Sequence, residues 1–319
     1  MSVCDLESAN ALITRGAVTI GMFDGVHLGH RALLGVLTEE AERIQGQSVI
    51  LTFDTHPAEV VRPDKVPKFI TTNGQRVAAL EAAGVDVIVV ARFDQAMADM
   101  TPREFVEQVL VRWLKAVVVV VGPDFRFGKR RAGDFAQLAE IGAEYGMAAA
   151  AIAPVMVDDA PVSSTRIRTL LRHGAVEEAA RLLGRPFVLE GLVVKGSGLG
   201  RRLGFPTANL ALDPNQITPA SGVYAADVVA LGRVFRGVVS VGSRPTVGGK
   251  DVVVEVHIPN FDENLYGKSV RVGFRSRLRD QKKFADLDQL AEQIAKDVDR
   301  TLRSLSSPPQ QALGDSGLF

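Results

Sequence analysis

Through residue 184 the apolar positions follow two alternating patterns. Short unbroken runs at 18–21, 48–53, 86–90, 115–121 and 148–153 read as strands covered on both faces, the fourth of them carrying five consecutive valines. Between them, at 30–45, 74–83, 102–114 and 134–146, apolar residues recur at the helical period. Gly84 stops the second of these helices, and Thr101-Pro102 occupies the cap and first-turn positions of the third. Strands that alternate with helices predict an α/β fold with a doubly wound parallel sheet, whose ligands bind beyond the carboxyl ends of the strands. A short helix at 175–184 closes this domain, placed at 1–184.

After Arg185-Pro186 the period changes to two. Runs at 187–195, 222–231, 234–241, 252–258 and 269–275 are separated by Gly and Pro turns with no helix between them, which predicts a small antiparallel β-barrel. A terminal helix near 286–303 carries Leu287, Leu290, Ile294 and Val298 on one face and should pack that stripe on the barrel. The second domain is therefore placed at 187–303, and 304–319, rich in Ser, Pro, Gln and Gly, reads as a disordered tail.

Composition adds exclusions. Length, 319 residues, suits two domains that each bury a core, and 46% hydrophobic residues describe a globular protein. Basic and acidic side chains balance at 37 each, so charge gives no reason to expect nucleic acid or an acidic membrane as partner. The single cysteine, Cys4, excludes an intrachain disulfide or a cysteine zinc cage and suits a reducing cytoplasm. Residues 1–16 do not read as a signal peptide, and no apolar run approaches the roughly 20 residues of a membrane span. The oligomeric state, homo-oligomers included, stays open.

The chemistry lies where strands end. In VTIGMFDGVHLGHRALL, residues 18–34, a strand runs through a glycine-bounded turn (Gly21, Phe23, Asp24, Gly25) into His27, Gly29 and His30 at a helix start. The first N–H groups of a helix have no internal partner and favour an anion, and two imidazoles there can each donate to a phosphoryl oxygen. The plain alternative is a turn and a cap. His56-Pro57 follows the second strand, where proline biases His56 to extended backbone; a site residue and a plain loop fit equally. GPDFRFGKRRAGD, 122–134, is not a Walker loop, but Asp124, Phe125 and Phe127 among four cations suit a planar ring with phosphates. Ser164, Thr165 and Arg168 open a further helix, where hydroxyls cap and the arginine could clamp a pyrophosphate.

In the second half, the loop of Gly196, Gly198, Gly200, Arg201 and Gly204 misses dinucleotide spacing but can bring backbone amides against phosphates. Pro206 leads into Thr207 and Asn209, two apart on extended chain, suitable hard ligands for a magnesium that also touches ATP. Glu255, flanked by valines, is either a paired structural charge or a base facing a site.

FDGVHLGH closely resembles the HxGH signature of nucleotidyltransferases, with an FDG lead-in similar to the FAD synthetases, and SSTRIR resembles the partner motif SSTxxR. GRRLGFPTAN, SVGSRPTVGG, VEVHI, NLYGKSVRV and LRDQKKF resemble the riboflavin kinase domain. The likeness covers nearly the whole chain and is to bacterial bifunctional riboflavin kinase/FMN adenylyltransferases. Met22, Thr55 and Gln281 depart from the usual pattern without removing an assigned group. The resemblance implies phosphorylation of riboflavin to FMN by ATP, with Glu255 as base, magnesium on Thr207 and Asn209, and the glycine loop with Arg201 and Pro206 binding ATP or flavin. It also implies adenylylation of FMN to FAD by a second ATP. There His27 and His30 would act catalytically, Gly21, Phe23, Asp24, Gly25, Gly29, Ser164, Thr165 and Arg168 would bind ATP, and His56, Pro57, Asp124, Phe125 and Phe127 the flavin or its phosphate. Two other readings are a nucleotidyltransferase for another phosphate ester and a flavin-binding regulatory module.

Overall fold

A computed structural model describes residues 1–196, 198–246 and 249–304, with side chains omitted over 243–251. The tail expected to be disordered lies, beyond residue 304, outside the described residues. So do Ser197 of the glycine loop and Val247-Gly248 of SVGSRPTVGG.

The chain divides into two compact units, Met1–Lys68 with Asn73–Ser163, and Phe69–Thr72 with the chain from Ser164 onward. The first holds a six-stranded parallel sheet of β1 (Ser2–Cys4), β2 (Gly16–Ile20), β3 (Gln47–Phe53), β4 (Val87–Ala91), β5 (Ala116–Val121) and β6 (Ala148–Ala151), in the order β1-β4-β3-β2-β5-β6. The valine run explains itself by its two faces. Val119 and Val121 join one core with Val18, Val49 and Leu51, while Val118 and Val120 join the other with Ile50, Leu33 and Leu37. A central parallel strand needs apolar groups at consecutive positions because helices cover both sides.

Among the elements of this unit outside the expected set are the first strand and the helix after it. β1 is three residues at the sheet edge, too short to show a period, and the helix Leu6–Leu12 follows it with Asp5 as cap. The helix expected at 102–114 opens as an α-helix at Pro102–Glu104 and continues as a π-helix over Phe105–Trp113.

The second unit is a closed antiparallel barrel of β9 (Phe187–Val194), β10 (Ala208–Leu212), β11 (Gly222–Ala230), β12 (Arg233–Thr246), β13 (Gly249–His257) and β14 (Ser269–Arg279). The labels β7 and β8 belong to a two-residue ribbon of the first unit, Met156–Val157 with Ala160–Pro161. Closure leaves no exposed sheet edge. β10 was not among the expected strands; five residues beside a glycine loop give too little alternation to separate from an extended connection. The helices Ser164–Arg172 and Val176–Leu183 pack in this unit, where Glu177 accepts from the Arg277 backbone N–H at 3.0 Å. Phe69–Thr72 joins it through Phe69, which exchanges backbone hydrogen bonds with Asn215 and Ile217 at 2.8 and 2.7 Å.

The terminal helix, Leu287–Ser304, meets the barrel as expected at Val298, which packs on Val223, Ala225, Val238 and Leu278. Leu287, however, is 48% exposed, and the most buried positions are Asp297 and Thr301. Asp297 takes both forks of Arg279, at 2.9 and 2.7 Å, so a buried charge pair and not the leucine end anchors this helix. Removing one partner of such a pair costs about 3–5 kcal/mol, because the other charge stays buried.

Candidate active sites in the two units

Within the sheet, β2 hydrogen-bonds to β3 on one side and β5 on the other. The chain winds from β2 through β3 to β4 on one side, then returns past them to β5, so the winding direction reverses between β2 and β5. Crevices at such reversals, beyond the carboxyl ends of the strands, are where open α/β sheets bind ligands. FDGVHLGH leaves β2 there, DTHP leaves β3, and GPDFRFG leaves β5.

The turn after β2 is tightly constrained. Phe23, Gly25 and Val26 have φ of 50°, 85° and 39°, and the Val26 N–H donates to the Phe23 carbonyl at 3.0 Å. A β-branched residue with positive φ is strained and persists only where its surroundings enforce it. Here Phe23 and Val26 are both core residues, so burial holds the strain in place. Asp24 lies buried between them in sequence.

The turn delivers His27 to the cap of the helix Leu28–Arg43, where its Nδ1 accepts from the His30 backbone N–H at 3.3 Å. An accepting Nδ1 places the proton of the neutral ring on Nε2. The His27 and His30 rings stack with centroids 3.6 Å apart, and His30 meets Phe23 edge-on at 5.2 Å. A Cβ on Gly29 would stand 3.2 Å from the His27 ring, so the glycine between the histidines makes room for the stack. The capping reading is realised: His27 caps the helix through Nδ1.

After β3, His56 has the extended backbone that Pro57 favours, φ −66° and ψ 129°, and caps the helix Pro57–Val61. Its Nδ1 accepts from the Ala58 N–H at 3.0 Å, while Glu59 accepts from the His56 N–H at 3.2 Å. After β5, Asp124 is exposed and Phe125 half-buried. Phe125 stacks on Phe127 at 5.4 Å, and Phe127 lies in the core against Phe105. Phe127 therefore anchors the loop, and Phe125 is the aromatic left nearer its surface. Two of the loop's cations are paired, Arg126 with Asp134 at 3.1 Å and Lys129 with Asp99 at 2.9 Å. Ser164, Thr165 and Arg168 stand on the opening turns of their helix, Thr165 exposed and Arg168 buried.

In the barrel, register brings the second group together. Asn209 on β10 pairs with Glu255 on β13, and Ala208 with Val256. Adjacent positions alternate faces, so Asn209 and Glu255 share the face opposite Ala208 and Val256. The glycine loop packs down on this segment. A Cβ on Gly196 would fall 2.1 Å from Asn209 Nδ2, and one on Gly200 would fall 2.4 Å from the Phe205 carbonyl and 3.2 Å from Thr207 Oγ1. Gly198 and Gly204 supply left-handed turns at φ 71° and 82°.

Thr207 also borders a cavity of about 620 Å³ with Arg201, Pro206, Ala208, Val256, Phe261 and Tyr266. Its size is that of a small-molecule site. Among the described residues no three His, Cys, Asp or Glu side chains assemble a metal cage. One hydroxyl and one amide oxygen, from Thr207 and Asn209, instead suit a magnesium that phosphate oxygens help to hold.

A residue that motif reading passed over completes this group. His257 is buried, its Nδ1 donates to the Pro206 carbonyl at 2.8 Å, and Phe205 meets its ring edge-on at 5.6 Å. Burial holds its pKa below the usual histidine value, against the opposing pull of that hydrogen bond. It pins the residue next to Thr207. Its sequence signal was its place in VEVHI, two residues after Glu255 on a strand.

The family model described as FAD synthetase matches residues 10–166, and that described as riboflavin kinase matches 183–305. A bifunctional riboflavin kinase/FMN adenylyltransferase from Escherichia coli K12 is 40% identical over 281 residues, 88% of this chain and 90% of that protein. Proteins of the same name from Haemophilus influenzae and Bacillus subtilis are 38% and 33% identical, each over 92% of this chain and over 96% and 93% of theirs. A crystal structure described as a macrolide-efflux protein from Streptococcus pneumoniae superposes with TM-score 0.83 at 32% identity, covering 92% of this chain and 96% of that one. Among the described residues of this chain, no helix is long and apolar enough to cross a membrane. With relatives of this identity matched over nearly their full length, the chain belongs to the family of bifunctional riboflavin kinase/FMN adenylyltransferases.

Proposed function

We propose that the chain makes FAD from riboflavin in two steps, each at its own site. The observation that carries this reading is that the chain is 40% identical to a protein named for both activities; the stacking of His27 on His30 and the pairing of Asn209 with Glu255 support it.

In the barrel, Glu255 accepts the proton of the riboflavin 5′-hydroxyl as that oxygen attacks the γ-phosphorus of ATP, forming FMN and releasing ADP. Thr207 and Asn209 would hold magnesium, which would neutralise charge on the ATP phosphates. The backbone amides of the glycine loop, with Arg201 and Pro206, cradle the substrates, and His257 keeps Pro206 and hence Thr207 in place.

In the sheet unit, an FMN phosphate oxygen attacks the α-phosphorus of a second ATP, and pyrophosphate leaves. This nucleophile is already ionised, so no general base is required, and positioning with charge stabilisation does the catalytic work. His27 Nε2–H and the His30 imidazole donate to the α-phosphoryl oxygens as charge builds there. The N–H groups at the start of Leu28–Arg43 and the turn Gly21, Phe23, Asp24, Gly25 shape the phosphate site. His56, Pro57, Asp124 and Phe125 receive FMN. For Ser164, Thr165 and Arg168 the support is the SSTRIR string, which assigns them to the departing phosphates. The single cysteine fits a reducing compartment, and the cytoplasm is the proposed location.

Pure protein given riboflavin, ATP and magnesium should yield FMN and ADP, and given FMN and ATP should yield FAD and pyrophosphate. Flavin binding without ATP turnover in either reaction would refute the proposal.

A further inference from the structure

Behind the histidine-bearing loops of the sheet unit lies a charge that the proposed reaction does not use. Arg76, on the helix Asn73–Glu81, is 1% exposed and shares its buried face with Ala79 and Leu80. Its Nη2 donates to the carbonyl of Phe53, the last residue of β3, at 2.6 Å and to Asn73 Oδ1 at 3.0 Å. Asn73 Nδ2 donates in turn to the Asp54 carbonyl at 3.1 Å. Together the two side chains clasp the first residues of the segment that leads to His56.

The rest of the guanidinium is not matched by hydrogen bonds: Nε and Nη1 are buried and make none. Burial lowers its proton affinity, and the nearby negative charges of Asp24 and Asp54 act the other way. Asp24 belongs to the turn after β2, so one cation feels both the β2 and the β3 loop. Thr19 on β2 and Thr52 on β3 add two buried hydroxyls without hydrogen-bond partners. Thr19 is registered beside Ile50, two residues before Thr52, so both hydroxyls lie on the sheet face of Ile50, which packs with Ala79 and Leu80. A cation and unpaired hydroxyls at one end of an apolar layer cost stability that aliphatic side chains would not.

We propose that Arg76 is a positioning residue for adenylyl transfer. Its guanidinium ties the chain leaving β3 and its charge holds the Asp24 turn leaving β2, so His27, His30 and His56 keep one mutual placement. Arg76 touches no reacting atom, and the inference rests on the adenylyl-transfer reading of this site.

The test compares wild-type full chain with Arg76→Met and Arg76→Lys, measuring thermal melting, riboflavin phosphorylation, and kcat and KM for FMN adenylylation. Arg76→Met takes a donor from the Phe53 carbonyl and a compensating charge from buried Asp24, so it should melt below wild type. Rates are therefore compared well below its melting temperature, where it should phosphorylate riboflavin at the wild-type rate. Its adenylylation kcat should fall at least tenfold, toward the roughly hundredfold loss that a 1 Å misplacement causes, with a smaller change in KM for ATP. Arg76→Lys, which keeps the charge and loses the fork, should fall less. An Arg76→Met kcat within twofold of wild type would overturn the inference, as would an activity loss that only tracks the fraction unfolded. A wild-type chain that makes no FAD from FMN would instead remove the adenylyl-transfer reading, and the inference with it.

Discussion

The sheet site and the barrel site present their reactive groups by different backbone devices. In the sheet unit, the ends of parallel strands open into turns, one of them strained at Phe23 and Val26, and the groups delivered are imidazoles at helix caps. In the barrel, Asn209 and Glu255 are fixed by antiparallel register, with glycines pressed on Asn209 and Thr207. The chemistry differs in parallel. A hydroxyl nucleophile needs a base and an ionised phosphate nucleophile needs donors around the electrophile; in the proposed roles Glu255 supplies the first and His27 and His30 the second. The proposal thus gives one chain a base-dependent and a base-independent phosphorus transfer, each built from the backbone geometry that suits it.

The sharpest way to break this contrast is Glu255→Gln. Losing a general base should lower riboflavin phosphorylation by about 10²–10⁴-fold and leave FMN adenylylation unchanged, read as initial rates with each flavin as substrate. An unchanged kinase rate would return Glu255 to a structural charge. His30→Ala should give the mirror result, a loss of roughly 10²–10³-fold in adenylylation with the kinase intact, as for other removed donors to a developing oxyanion. Equal loss of both rates would show a folding defect. Gly196→Ala forces a methyl to within 2.1 Å of Asn209 Nδ2 as the loop stands, so it should lower the kinase rate by about tenfold, a smaller effect because the loop can shift.

The smallest expected effect concerns pH. Burial lowers the His257 pKa in the folded barrel relative to the unfolded chain, whose value is about 6.5. The unfolded chain therefore binds the proton first as pH falls. The contribution is fully present above pH 6.5 and is lost progressively below it. His257→Asn keeps a donor for the Pro206 carbonyl without titrating, so its melting temperature should decline less than that of wild type between pH 7.5 and 5.5. Parallel curves would contradict the assignment.

Sequence patterns made the architecture legible wherever burial was two-sided or strictly alternating. The valine strand, its neighbours and the long barrel strands all announce themselves because core position leaves little choice of residue. β1 and β10 were illegible for lack of length, and the anchor of the terminal helix was illegible because Asp297 looks like any solvated aspartate until Arg279 is seen beside it. The motifs single out two candidate sites because each lies at a strand end. What they could not show was how side chains are held: that His27 spends one nitrogen on capping, that Phe127 is core, and that buried Arg76 and His257 donate to the Phe53 and Pro206 carbonyls. An arginine in an amphipathic helix reads as a solvent-facing residue, and only the packing shows otherwise.

The most direct test of two separate sites in one chain is a chromatogram of flavins over time. Wild type, Glu255→Gln and His30→Ala would each be incubated with riboflavin, ATP and magnesium, and again with FMN in place of riboflavin. The account predicts that wild type converts riboflavin to FMN and then FAD. Glu255→Gln should leave riboflavin untouched yet convert FMN to FAD, and His30→Ala should stop at FMN. Loss of both conversions by either substitution in a folded protein, or wild type that never passes beyond FMN, would contradict it.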